Sequence, residues 1–183
     1  GVISGTCNFV LDRLAEGVPA AEALRAAQQR GLAEADPAAD LSGLDSARKL
    51  LVLARGVFGE EIALDDIDRV GIEGLTPEVV AAVGERGRTV RLVASLQCRA
   101  GRLIASVQPA ELRPDDPLAG ARNEENVFAL TVEGRAAPVL LRGLGAGRWP
   151  TTESVVGDVL RIARERRTLA ATGGAEQPAR HSA

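Results

Sequence analysis

The densest polar cluster in the chain is GLAEADPAADLSGLDSARKL, in which Glu34, Asp36, Asp40 and Asp45 precede Lys49. Carboxylates beside an ammonium suit proton transfer, because each holds or releases a proton according to its neighbours. Other residue types offer little of that chemistry here. The single histidine, His181, lies in the stretch AATGGAEQPARHSA, which reads as a disordered tail. Cys7 and Cys98 fall in different segments without metal-ligand spacing, and read as two free, mostly buried thiols in a reducing compartment. A zinc site, a Ser-His-Asp triad and a Cys-His pair are set aside on these grounds, and no metal site is expected. Acid–base work falls to Lys, Asp or Glu.

Spacing leaves two readings of this cluster open. With a helix beginning near Gly43, Asp45 and Lys49 stand one turn apart on a shared face. They either belong to a site or form a surface pair contributing a few tenths of a kcal/mol, with Ser42-x-x-Asp45 as a capping box. The glycine-rich GLGAG at 143–147 poses a similar choice. It has the look of a dinucleotide fingerprint between a strand and a helix. Yet no strand follows that helix, and no ribose-binding acid is placed to complete the motif.

The elements that must position these residues begin with helices. Residues 4–16 put Phe9, Val10 and Leu14 on one side and stop at Gly17. A second helix starts near Pro19, suited to a first turn, and closes at Gly31 as its C′ glycine. After the loop LAEADPAAD, a third helix spans about Gly43 to Arg55, with Leu44, Ala47, Leu50, Leu51 and Ala54 in helical period. Arg69–Glu73 is a short strand candidate. Thr76-Pro77-Glu78 supplies an N-cap, an N1 proline and a first-turn acid for a helix to about Arg86. Thr89–Cys98 with Leu103–Pro109, and Asn126–Val132 with Ala137–Arg142, alternate as two hairpins around the turn-rich RPDDPLAGARNEE. A last helix covers about Thr152 to Thr168. Helices, then meandering strands, then one helix predict an α+β domain: a mostly antiparallel sheet with helices packed on one face.

The 183 residues suffice for one sizeable core, with 45% hydrophobic residues but only 2% aromatic, so aliphatic packing must build it. A formal charge of −3, with arginines interleaved among acids, argues against nucleic acid as a partner. No apolar run approaches the roughly 18–20 residues of a membrane helix, and no secretory signal opens the chain, so no membrane is expected and the location is read as cytoplasmic. With no methionine, even at position 1, the chain is expected to be part of a longer protein.

GVISGTCNFVL, then GLAEADPAADLSGLDSARKL, then GLGAGRWPTTESVVGD resembles the ordered signature blocks of homoserine dehydrogenases, across residues 1–168. The middle block is the most specific, since its acid-rich loop, Gly-x-Asp step and Ala-x-Lys step keep the family spacing. The resemblance implies NAD- or NADP-dependent interconversion of aspartate 4-semialdehyde and homoserine, in threonine and methionine biosynthesis. It implies that Lys49 is the proton donor, that Glu34 binds the amino group of an amino-acid substrate, and that Asp45 orients Lys49 and a substrate polar group. Asp40 matches another acid near the site, though a plain loop or N-cap role fits it equally. Gly5 and Thr6 match a turn near substrate and nicotinamide, with Thr6 alternatively capping the first helix. Gly31 and, late in the chain, Gly145 and Gly147 match positions against the cofactor.

Two departures concern fine contacts: Leu32 stands where the family often has an aromatic residue, and Cys7 where a threonine is common. The resemblance further implies a catalytic, substrate-binding and dimerisation domain at 1–168, a tail at 169–183, a homodimer, and a nucleotide-binding domain outside this chain. Without that domain the chain is expected to be inactive alone. A non-catalytic amino-acid-binding or dimerisation module derived from the same family is the alternative.

Overall fold

The computed structural model describes residues 1–145 and 148–173. They fall into two units, Gly1–Gly147 and a second beginning at Arg148. The first unit contains α1 (Gly5–Ala15), α2 (Ala20–Gln29), α3 (Ala38–Leu41), α4 (Leu44–Leu53), β1 (Asp68–Arg69), α5 (Pro77–Glu85), β2 (Thr89–Arg99), β3 (Arg102–Leu112), β4 (Glu125–Leu130) and β5 (Val139–Leu144). The second contains α6 (Arg148–Gly173). The α+β class expected from the sequence is the one observed.

α1 sits at the centre because it is buried almost all round: Thr6 through Leu11, and Leu14, are inaccessible. Its N-cap is Ser4, whose hydroxyl accepts from the Cys7 amide at 3.3 Å, so Thr6 is free of capping duty. Ala23 and Ala27 are the buried face of α2, small enough to let that helix lie close to α1. Pro19 stands at the N-cap of α2, one residue before the expected first turn. Gly31 takes φ +71 as the expected C′ residue.

The capping box at Ser42 and Asp45 does not form. Ser42 instead terminates α3, and Gly43, at φ +74, is the left-handed residue before α4. A capping box needs an extended N-cap backbone, which this link lacks. A Cβ at Gly43 would also press on Val107 at 2.9 Å, so glycine serves both the turn and the packing beneath it. α4 ends at Leu53, earlier than expected, and runs into a wider turn over Ala54–Phe58.

The long hairpin β2–β3 pairs from Thr89↔Leu112 to Arg99↔Arg102 across Ala100-Gly101, both with positive φ as a two-residue hairpin turn requires. β1 is shorter than the strand expected at 69–73 and joins β3 in parallel; β4 and β5 form a separate antiparallel pair. Val90, Leu92, Ala94, Ala105 and Val107 form the helix-facing core with Ile3, Leu11, Leu14 and Leu50. Val2, Ala121 and Val127 make a smaller cluster that includes Val93. Arg91 on β2 is 1% exposed, and its Nη2 donates to Asp12 Oδ1 at 2.8 Å. Cys98, expected to be mostly buried, is exposed near the hairpin tip.

α6 starts at Arg148, ahead of the expected Thr152, which the lack of an N–H on Pro150 permits because first-turn amides are unbonded anyway. It continues to Gly173, past the position where the tail was expected to begin. Residues 174–183, with His181, lie outside the described residues.

Candidate active site

The polar cluster is assembled where the N-terminal turn of α1 meets α3 and the start of α4. Lys49 Nζ donates to the Ile3 carbonyl at 2.8 Å and pairs with Asp45 Oδ2 at 2.8 Å. The Asp45 pairing is the one-turn contact expected from the spacing. The Ile3 bond spans 46 residues and fixes the amine against the segment that precedes α1. Both side chains remain partly open, Lys49 at 42% and Asp45 at 38% exposure, so the pair is anchored yet reachable. An ammonium has three donors, and two are engaged here.

Asp40 is half-buried on α3, within the same cluster. Its Oδ2 lies 3.0 Å from Thr6 Oγ1 and its Oδ1 3.4 Å from Ser4 Oγ, while its backbone carbonyl accepts from the Cys7 thiol at 3.2 Å. Burial pushes the Asp40 carboxyl above the usual carboxylate range; the hydrogen bond shared with Thr6 works against this, Asp45 adds to it, and Lys49 and Ser4 oppose it. Burial pushes the Cys7 thiol up to about 12, so it stays protonated and acts as a weak donor.

Thr6 Oγ1 donates to the Leu32 carbonyl at 2.7 Å, tying the acidic loop to α1. Glu34 sits in that loop with an exposed side chain. Its backbone is held by Gln28, whose Nε2 donates to the Glu34 and Ala35 carbonyls at 3.0 and 3.3 Å. The cluster therefore brings Thr6, Asp40, Asp45 and Lys49 together, with Glu34 on the loop that Thr6 fastens.

The glycines behave differently from one another. A Cβ at Gly5 would lie 2.9 Å from Glu124 Cα and 3.2 Å from the Asn123 carbonyl, so Gly5 admits the segment before β4. Gly145 meets that same segment: its amide donates to the Glu124 carbonyl at 2.8 Å, and a Cβ there would overlap the Asn126 carboxamide. Gly31 has open space around it, so conformation alone requires glycine there. Gly147 lies outside the described residues.

Several participants were missed from the sequence. The Ile3 and Leu32 carbonyls carry no side-chain signal at all. Asn8, fully buried within α1, donates to the Asn123 and Glu125 carbonyls at 3.2 and 3.0 Å and holds the segment that Gly5 and Gly145 touch. A polar residue inside the apolar run of α1 was the signal for it. Two clefts lie away from the cluster: one of about 350 Å³ beside Arg88, Glu111 and Asp116, another of about 110 Å³ beside Asp12, Arg91 and Arg122.

Comparison with known proteins points to one family. A family model described as homoserine dehydrogenase matches residues 1–160. The homoserine dehydrogenase of Bacillus subtilis is 38% identical over 175 residues, covering 94% of this chain and 40% of that protein. The NAD(+)-dependent homoserine dehydrogenase of Pseudomonas canavaninivorans is 34% identical, covering 88% of this chain and 46% of its own length. A crystal structure of the S. aureus homoserine dehydrogenase superposes with a TM-score of 0.80 at 32% identity, over 88% of this chain and 41% of that one. This chain thus spans about two-fifths to one-half the length of these relatives.

Proposed function

This chain belongs to the homoserine dehydrogenase family, and on that premise we propose that it is the catalytic and substrate-binding part, residues 1–168, of an enzyme interconverting aspartate 4-semialdehyde and homoserine. The observation that carries the proposal is the seating of Lys49 between the Ile3 carbonyl and Asp45. A surface ion pair has no need of a bond to the backbone carbonyl of a buried residue far along the chain. A general acid does, because its amine must stay within reach of one oxygen.

A nicotinamide bound here would supply hydride to the aldehyde carbon, and the charge this would leave on the oxygen is what the residues of this chain must meet. Lys49 hydrogen-bonds that oxygen, stabilises the developing charge and gives it a proton, yielding the alcohol. Asp45 keeps Lys49 aimed through their 2.8 Å pair. Glu34, on the loop fastened by Thr6, binds the ammonium of the amino acid, with Asp40 beside it. In the reverse direction Lys49 takes the hydroxyl proton back.

The residues present fit the nicotinamide end of such a cofactor. Among the described residues, the buried Asn126 Oδ1 has no partner and lies beside Gly145, an acceptor of the kind an amide N–H satisfies. Gly31, Gly145 and Gly147 are the positions assigned to the cofactor, with Gly5 and Thr6 at its junction with substrate. The greater part of the cofactor, and the choice between NADP and NAD, is assigned to residues outside this chain.

The proposal extends to a homodimer that covers the exposed apolar residues of β4–β5, and to a cytoplasmic enzyme of threonine and methionine biosynthesis. Among the described residues no helix is long and apolar enough to cross a membrane. The test is homoserine-dependent reduction of NAD or NADP by the enzyme that carries this chain, set beside the isolated 183-residue chain. The first should turn over and the second should not. Absence of turnover in the first would remove the proposed reaction, and turnover in the second would relocate the cofactor site.

A further inference from the structure

The hydrogen bonds around Asp40 pose a direction problem that the distances decide. Thr6 Oγ1 carries a single proton and has two oxygens within bonding distance: the Leu32 carbonyl at 2.7 Å and Asp40 Oδ2 at 3.0 Å. A carbonyl can only accept, and 2.7 Å is the usual length of a well-formed O–H···O bond. The Thr6 proton is therefore committed to Leu32. An ionised Asp40 would then face the lone pairs of Thr6 with lone pairs of its own.

A protonated Asp40 resolves every contact. Its Oδ2–H donates to Thr6 Oγ1, its Oδ1 accepts from Ser4 Oγ, Ser4 Oγ accepts from the Cys7 amide, and the Cys7 thiol donates to the Asp40 carbonyl. We propose that Asp40 is a neutral acid in the substrate-free site, kept so by Thr6, and that it gives its proton to solvent when the ammonium of the amino acid arrives. The charged groups facing it are Asp45 and Lys49 of α4, of opposite sign; α1 presents only the hydroxyls of Ser4 and Thr6 and the Cys7 thiol. Burial acts in the same direction, favouring the neutral form.

The second half of this inference rests on the proposed function, because it needs an amino-acid substrate. An ammonium beside a neutral carboxyl gains little; once the carboxyl is ionised it gains a charge-assisted partner. Substrate binding and loss of the Asp40 proton are then linked, so affinity rises with pH until Asp40 is already ionised.

The carboxyl carbon resonance of Asp40, followed against pH in the 183-residue chain, tests the first half. A midpoint well above the ordinary aspartate value of about 3.9 is expected. Thr6→Val should lower it by removing the acceptor, and Thr6→Ser should leave it near wild type. A wild-type midpoint at or below the ordinary value, or a rise in Thr6→Val, overturns the proposal, since a Thr6 that donated to a carboxylate would give that rise.

Should Thr6→Val fail to fold, stability against pH replaces it. The native chain would carry a proton that the unfolded chain lacks, so wild type should lose stability relative to Asp40→Asn as pH rises from about 4 toward neutrality. A flat or rising difference overturns the proposal. In the active enzyme, the Michaelis constant for homoserine should fall about tenfold per pH unit below the Asp40 midpoint and lose that slope in Asp40→Asn. An enzyme without homoserine activity would sink the proposed function while the resonance still decided the proton.

Discussion

Around Ser4, Thr6, Asp40 and Lys49 the chain satisfies its polar atoms internally and lays them over a closed apolar core. Along β4 and β5 the opposite holds: Leu130, Leu140, Leu141 and Leu144 are 41–58% exposed on a two-stranded pair that one bridge, Val2↔Val127, ties to the N-terminal segment. α6, taken by itself, resembles the hairpin, with Val155, Val159 and Ile162 one helical turn apart and each more than half exposed. The difference separates two jobs. A proton-transfer cluster must be held rigidly by its own chain, because sub-ångström placement matters there. A surface rich in exposed leucine and valine on paired strands is suited to be completed from outside. The relatives are about two to two and a half times as long as this chain.

The widest separation between the two regions should appear in activity. Lys49→Ala, in the enzyme that carries this chain, is expected to lower turnover by about 10²–10⁴ with little change in unfolding temperature. Turnover close to wild type at saturating substrate would reduce Lys49 to a surface partner of Asp45. The rigidity of the first region can be broken more directly at Asp12. Arg91 is 1% exposed, so Asp12→Ala leaves a buried guanidinium without its carboxylate and should cost about 3–5 kcal/mol in chemical denaturation at neutral pH. Adding Arg91→Met should recover most of that loss; no recovery would mean that Asp12 acts through Arg122 or through packing instead.

Glu34→Ala sharpens the comparison within the site, because Glu34 is the exposed member on a tethered loop. It should raise the Michaelis constant for homoserine about 10- to 100-fold, the scale of a charged hydrogen bond, and leave turnover at saturation nearly unchanged. A fall in turnover with an unchanged Michaelis constant would place Glu34 in the chemistry instead of in binding. The smallest effect belongs to the second region. Leu141→Lys should weaken self-association about tenfold or more, read as a shift toward monomer in sedimentation at micromolar concentration. Wild-type chain that is already monomeric there, with a folded spectrum, would leave the exposed leucines to a different partner.

Much of the fold was legible because its signals are local. Gly17 and Gly31 ended their helices, Thr76-Pro77 opened α5, and the alternation on either side of Ala100-Gly101 marked β2 and β3. The Asp45–Lys49 contact was equally visible, being one turn of one helix. The capping box failed because the same four residues were read without Gly71, whose missing side chain lets its backbone lie against Leu41 and Ser42 and so fixes the link between α3 and α4.

From sequence alone came the candidates for chemistry: a lysine and carboxylates at family spacing, with histidine- and cysteine-based sites set aside. Tertiary structure decided how they are held. Lys49 is aimed by the carbonyl of Ile3, Thr6 is turned toward the carbonyl of Leu32, and Asp40 is left to face a hydroxyl whose proton is engaged elsewhere. The reason is physical: backbone carbonyls are the same in every residue, so where one arrives, and which way a shared proton then points, exists only once distant segments have packed together.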